Sequence, residues 1–131
     1  MISKSFIYAL VGASNAPEKF GNKIFLDLTE AGYKIIPINL KETEIAGIKA
    51  YPNLSSVKTQ IDVIIFVVPP QITLEVLKEV KKMNIKNIWM QPGSESDEAI
   101  AFCAEHNINC IHNACMMIER RNGHVSTNLY S

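Results

Sequence analysis

The sequence predicts an α/β protein with a Rossmann-like, three-layer fold built on a parallel sheet of about five strands. Three observations lead there. Short apolar runs recur along the 131 residues, each continuous in hydrophobicity rather than alternating, which marks strands buried on both faces. Amphipathic stretches with helical spacing separate them, and a strand–helix–strand rhythm gives right-handed crossovers and a parallel sheet covered on both sides. The first apolar run also ends in a glycine loop, VGASNAPEKFGN, which stands where a fold of this class binds phosphate-bearing ligands.

The strands are read in order as Phe6 to Val11, Tyr33 to Ile38, Val63 to Val68, Ile88 to Met90 and Ile108 to Ile111. Between the first two, Phe20, Ile24, Leu28 and Ala31 share one helical face; after the third, Ile72, Val76, Val80 and Met83 do the same. A third helix runs from about Ser96 to Glu105. Ser96 is suited to cap it, Asp97 and Glu98 complement its first-turn dipole, and Ile100, Cys103 and Ala104 turn inward. The stretch from Glu42 to Asp62 holds Gly47 and Pro52, lacks helical periodicity and reads as a loop with a short strand or turn near Lys49 to Tyr51.

One domain spanning 1–131 accounts for the whole chain, with a polar tail from about 122 to 131. Hydrophobic residues make up 47% and charged residues 20%, and the formal net charge is zero, so neither a basic nucleic-acid footprint nor a polybasic membrane arm is present. The apolar start is too short to span a bilayer and runs into a turn, which gives a cytoplasmic reading and a small-molecule or protein partner. The three cysteines, Cys103, Cys110 and Cys115, lack CxxC spacing and read as reduced thiols rather than a zinc site or disulfide framework.

In such sheets ligands bind outside the carboxyl ends of the strands, so the residues that follow each run are the candidates. Gly12, Ala13 and Ser14 follow the first. Gly12 permits a tight turn and close approach of a diphosphate, the next helix offers unpaired N–H groups, Ser14 adds a hydroxyl and Lys19 a mobile cation. Structurally, Gly12 need only turn the chain while Ser14 or Asn15 caps the helix. Replacing Gly12 by a bulky residue is expected to block ligand approach and leave the core intact. After the second run stand Asn39 and Lys41, with Glu42 the nearest acid. A nicotinamide enzyme usually places an acid at that corner, whereas a lysine suits a phosphate on the ribose. Pro69 and Pro70 form a stiff apolar ledge or simply start a helix. Trp89 reads as core, Gln91 as a free amide at the rim, and Gly93 as a turn or a point of close approach.

The order G-A-S-N-x-P, GYKIIPIN, GIKAYPNL, DVIIFVVPP, IWMQPG and NACMMIE, across about Ser5 to Glu119, resembles the small stand-alone CoA-binding proteins, relatives of the CoA-binding domain of the succinyl-CoA synthetase alpha subunit. The resemblance implies CoA or acyl-CoA as ligand. It implies contacts from Gly12, Ala13, Ser14 and Lys19, from Ile38, Asn39 and Lys41, from Val68 and Pro69, from Gln91 and Gly93, and from Asn113 and Cys115. Two departures stand out. Where many such proteins read P-x-R-x-S, this chain has Pro17-Glu18-Lys19-Phe20-Gly21, replacing a bidentate arginine by a point charge. The motif P-V-N-P is here Pro37-Ile38-Asn39-Leu40, which loses a proline.

Nothing in the pattern supplies catalytic machinery. His106, His112 and His124 read as core or surface residues, and no Ser-His-Asp or metal constellation emerges. Cys115, at the amino end of a short final helix, is either a small buried hydrophobe or a thiol beside the CoA site. The expectation is a CoA or acyl-CoA binding protein acting as a sensor or carrier. A minimal NAD(P)-dependent enzyme and an interaction domain with an empty rim are the alternatives.

Overall fold

The computed structural model describes residues 1–122; His124 and all but the first residue of the expected polar tail lie outside them. The chain runs β1 (Ile7–Val11), α1 (Phe20–Glu30), β2 (Lys34–Ile38), β3 (Glu44–Ile45), β4 (Ile48–Lys49), a 3₁₀ turn (Leu54–Ser56), β5 (Val63–Phe66), α2 (Pro70–Lys82), β6 (Asn87–Met90), α3 (Asp97–Glu105), β7 (Asn109–Ile111) and α4 (Met116–Asn122). Five strands form one parallel sheet in the order β2-β1-β5-β6-β7. The strand order reverses between β1 and β5, which opens a crevice at their carboxyl ends.

Alternate side chains along each strand divide between two cores, as the pleat requires. Ala9, Val11, Ile64, Phe66, Ile88, Met90 and Cys110 face α2 and α3, while Tyr8, Leu10, Val63, Ile65, Trp89 and Ile111 face α1 and α4. Both faces are sealed, so the strands carry no polar alternation. Each fully buried Leu, Ile or Phe contributes about 1.5–3 kcal/mol against conformational entropy. Cys103 and Cys110 sit together in the first core, where a hydrogen bond with Cys110 and burial push the Cys103 thiol well above its usual range. Neither they nor Cys115 take part in a disulfide.

The short strands form as expected, each within two residues of its expected ends. The region after β2 is more ordered than a wandering loop: β3 and β4 make an antiparallel hairpin, its turn carrying positive φ at Ala46 and Gly47, and Tyr51 bridges to Ile38 at the sheet edge. Ile45 is fully buried and pins this hairpin to the second core. Ser96 caps α3 by accepting from Ala99 N, but Ala99 rather than Ala104 is buried beside Cys103. On α1 and α2 the expected inward faces hold only past the first turn. Phe20 is 60% and Ile72 41% exposed, because both stand at helix starts beyond the carboxyl edge of the sheet.

One contact closes the second layer. Asp27 of α1 accepts two hydrogen bonds from Arg120, at 2.8 and 2.7 Å, and a third from Arg121 at 3.1 Å. The bidentate geometry favours the carboxylate, and the Arg120 hydrogen bonds hold the Asp27 carboxyl below its ordinary value. Among the described residues no helix is long and apolar enough to cross a membrane. A carboxylate whose folded-state pKa is lowered adds stability above its ordinary value and loses it as pH falls through the lowered one. Asp27→Asn is therefore expected to lower Tm by a few degrees at neutral pH, the difference from wild type shrinking in melts recorded as pH falls below the ordinary Asp value of about 3.9.

Candidate functional site

The β1–β5 crevice opens into a groove of about 1140 Å³, large enough for a drug-sized or nucleotide ligand. Ten of the thirteen sequence-predicted residues line it: Gly12, Ala13 and Ser14 after β1, Lys19 at the start of α1, Ile38, Asn39 and Lys41 after β2, Val68 and Pro69 after β5, and Gly93 after β6. The other three are not brought to its lining. Gln91 is 3% exposed; its Oε1 accepts from Met116 N at 2.8 Å and its Nε2 donates to Cys115 Sγ at 3.5 Å. The start of α4 needs an acceptor for its orphan amides, so the expected free amide is spent inside the protein. Asn113, at φ 61°, donates to His112 Nδ1. His106 is also satisfied within the fold, its Nδ1 lying 2.8 Å from Phe102 O.

The glycine loop is held by asparagines. Neither Ser14 nor Asn15 caps α1, whose N-cap is Lys19 with no side-chain bond. Five residues separate the loop from the helix, so Ser14 Oγ instead accepts from Ala16 N, and Asn15 pairs with the hairpin, donating to Glu44 O and accepting from Ala46 N. Asn39 donates to Ala13 O at 2.8 Å and accepts from Lys41 N and Glu42 N. Asn22, 8% exposed, donates to Ser14 O at 3.0 Å. The amides of Ala13, Ser14 and Asn15 meet no acceptor among the described residues.

Two glycines make this loop possible. Gly12 has φ +102°, and a Cβ there would stand 2.5 Å from Val67 O and 2.8 Å from Val68 Cγ1. A bulky substitution therefore disturbs the end of β5 as well as ligand approach, which corrects the expectation that the core would be left alone. Gly21 is tighter still: a Cβ would fall 1.9 Å from Gly12 O. The position that departs from the serine of P-x-R-x-S is thus where the first turn of α1 rests on the loop backbone.

The remaining lining explains what the sequence reading missed. Phe20, Leu40 and Ile72 are large, exposed and apolar, and all three border the groove together with Pro52, Leu54 and Val76. Their signal was in the sequence as helix-face or turn residues; only the tertiary fold puts them at the rim. Charge is divided as well. Lys19 and Lys41 lie on the β1 and β2 side, while Glu75 and Glu79 come from α2, and Glu79 Oε1 accepts from Ser55 N. Glu18 adjoins Lys19. Among the described residues no cluster of His, Cys, Asp and Glu could hold a metal ion.

A family profile described as CoA binding domain matches residues 7–121. The chain is 36% identical over 81 residues to the alpha subunit of ADP-forming acetate–CoA ligase II of Pyrococcus furiosus, a stretch that covers 61% of this chain and 18% of that subunit. It is 25% identical over 118 residues to the uncharacterised protein YneT of Bacillus subtilis, covering 90% and 87% of the two chains. A conserved hypothetical protein of Pyrococcus furiosus superposes with a TM-score of 0.84 at 39% identity, covering 87% of this chain and 98% of that one. The chain thus spans under a fifth of the ligase subunit it matches, and nearly all of the small proteins. Gly21→Ala is expected to lower Tm markedly, because backbone must move, while Gly93→Ala, where a Cβ meets nothing within 4 Å, carries only the strain of a side chain at φ +96° and is expected to cost less; paired thermal melts measure the contrast.

Proposed function

The chain belongs to the CoA binding domain family, and from that premise we propose that it binds CoA or an acyl-CoA in this groove and has no catalytic machinery of its own, acting as a sensor or carrier. The observation that carries the reading is the partition of the groove. One end offers loop amides that meet no acceptor among the described residues, a helix start and two lysines with Glu18 beside them; the rest is mostly apolar, with Glu75 and Glu79 along α2. CoA is divided the same way, with its phosphates at one end and a long, weakly polar pantetheine arm at the other. Amides and a helix N-terminus suit the diphosphate, and Lys19 and Lys41 suit the phosphate charges. Phe20, Val68, Pro69 and Ile72 offer the arm and any acyl group an apolar track.

The carboxylates of Glu75 and Glu79 favour the same orientation, since phosphates laid along α2 would meet like charge. A nicotinamide dinucleotide fits less well. After β2 the groove is lined by Asn39, Leu40 and Lys41, and the nearest acid, Glu42, is not among its lining residues; Asn39 itself is engaged with Ala13, Lys41 and Glu42. The ligation reaction of the acetate–CoA ligases belongs to proteins much longer than the matched segment, of which this chain covers 18% and 11%, and a part played by that segment in holding CoA is consistent with the reading proposed here.

Calorimetric titration with CoA, acetyl-CoA, NAD and NADP tests the reading: CoA and acetyl-CoA are expected to bind at least about tenfold more tightly than either dinucleotide, a difference of about 1.4 kcal/mol. Equal or tighter binding of NADP would overturn it. Lys19→Ala and Lys41→Ala are each expected to weaken CoA binding several-fold at low salt and by less at high salt, since exposed charges are screened within about 10 Å at 0.1 M. An affinity that does not change at low salt would leave that lysine as a surface residue.

A further inference from the structure

Three successive peptide units of the loop after β1 share one arrangement. The carbonyl of Gly12 is packed against Gly21, that of Ala13 accepts from Asn39 Nδ2 and that of Ser14 accepts from Asn22 Nδ2. In each unit the partner N–H, on Ala13, Ser14 and Asn15, meets no acceptor among the described residues. A trans peptide is planar, with its C=O and N–H directed oppositely. Fixing the carbonyls therefore points the N–H groups the opposite way: that of Ser14 belongs to a partly exposed groove residue, that of Ala13 to a groove residue only 1% exposed, and that of Asn15 to an exposed residue next in sequence to the lining.

We propose that Asn22 and Asn39 are positioning residues that tie back the loop carbonyls, so that the loop presents only donors to an anion in the groove. This rests on the CoA reading. Each asparagine acts through the loop and need not touch the ligand. Were a tie released, a peptide flip would put a carbonyl oxygen, with its negative dipole end, where the diphosphate lies, turning a cradle of donors into a mixed surface. Asparagine is suited to the task because its amide donates without adding charge. The assignment gives Asn39 a different part from the direct ligand contact implied by resemblance, and it gives Asn22 a part that the sequence pattern did not suggest.

The test replaces the donor by a group whose donor capacity depends on pH. In Asn22→Asp the ionised carboxylate cannot donate to Ser14 O and repels it; the protonated acid can donate. Calorimetry with CoA, and in parallel with pantetheine, which lacks phosphate, is run on wild type and variant from pH 7.5 to pH 5. At pH 7.5 the variant is expected to bind CoA about tenfold more weakly than wild type, the scale of one lost hydrogen bond, with pantetheine unchanged. As pH falls, the variant-to-wild-type ratio for CoA is expected to return towards one, because burial against a carbonyl raises the introduced carboxyl's pKa towards that range. A merely structural role would change the melting temperature without distinguishing CoA from pantetheine or following pH.

Asn22→Ala removes the donor without introducing charge, and its CoA affinity is expected to fall at every pH. It serves if Asn22→Asp does not fold, as judged by circular dichroism. Wild-type affinity for CoA in the folded Asn22→Ala protein, or equal losses for CoA and pantetheine, would overturn the positioning role. Failure of the wild-type protein to bind CoA would instead overturn the functional reading on which it rests.

Discussion

The contact on which the site depends is between two pieces of backbone. Helix α1 starts close enough to the loop after β1 that no side chain can stand at Gly21, and the loop turns at a φ that disfavours a side chain at Gly12. With both side chains absent, the first turn of α1 can rest on the Gly12 carbonyl while β1 stays paired with β2 and β5. That approach brings Asn22 within reach of Ser14 O and sets Lys19 and Phe20 at the groove's edge. A bulkier residue at position 21 would lift α1 from the loop, and these relationships would loosen together.

The groove and the core are made by the same amphipathic helices read at different heights. Farther along α1 and α2, Ile24, Leu28, Leu77 and Val80 are buried against the sheet. In the first turn of each, the apolar side chain has passed the sheet's carboxyl edge and has nothing beneath it, so Phe20 and Ile72 become rim. The exposure is not a packing fault. An apolar wall at the mouth of a crevice is what a largely uncharged ligand segment requires.

Most of the architecture was legible in the sequence because the strands are short, continuous apolar runs, and continuous hydrophobicity has few explanations besides a sheet covered on both faces. The glycine loop and the residues after β2 and β5 were legible for the same reason: they immediately follow those runs. What was not legible depends on distance between elements. Gln91 looked like a rim amide, yet the start of α4 needed an acceptor and took it. Asn22 was not singled out, and Asn39 was read as a contact for ligand, because a hydrogen bond to a loop carbonyl leaves no periodic trace. The hairpin of β3 and β4 was hidden by its two-residue strands, too short to show a pattern, although buried Ile45 anchors it.

Trp89 has a practical bearing on how this protein can be watched in solution. It is the only tryptophan in the chain, it is fully buried, and its indole N–H donates to Ala114 O at 2.9 Å. It lies on the α1–α4 side of the sheet, beneath the β6–β7 edge rather than on the groove wall. Its emission will accordingly be that of an indole in a dry, fixed setting. The fluorescence is a gauge of whether the second core is intact and a poor gauge of groove occupancy, so an emission spectrum that stays constant through a titration is compatible with a groove that has filled completely.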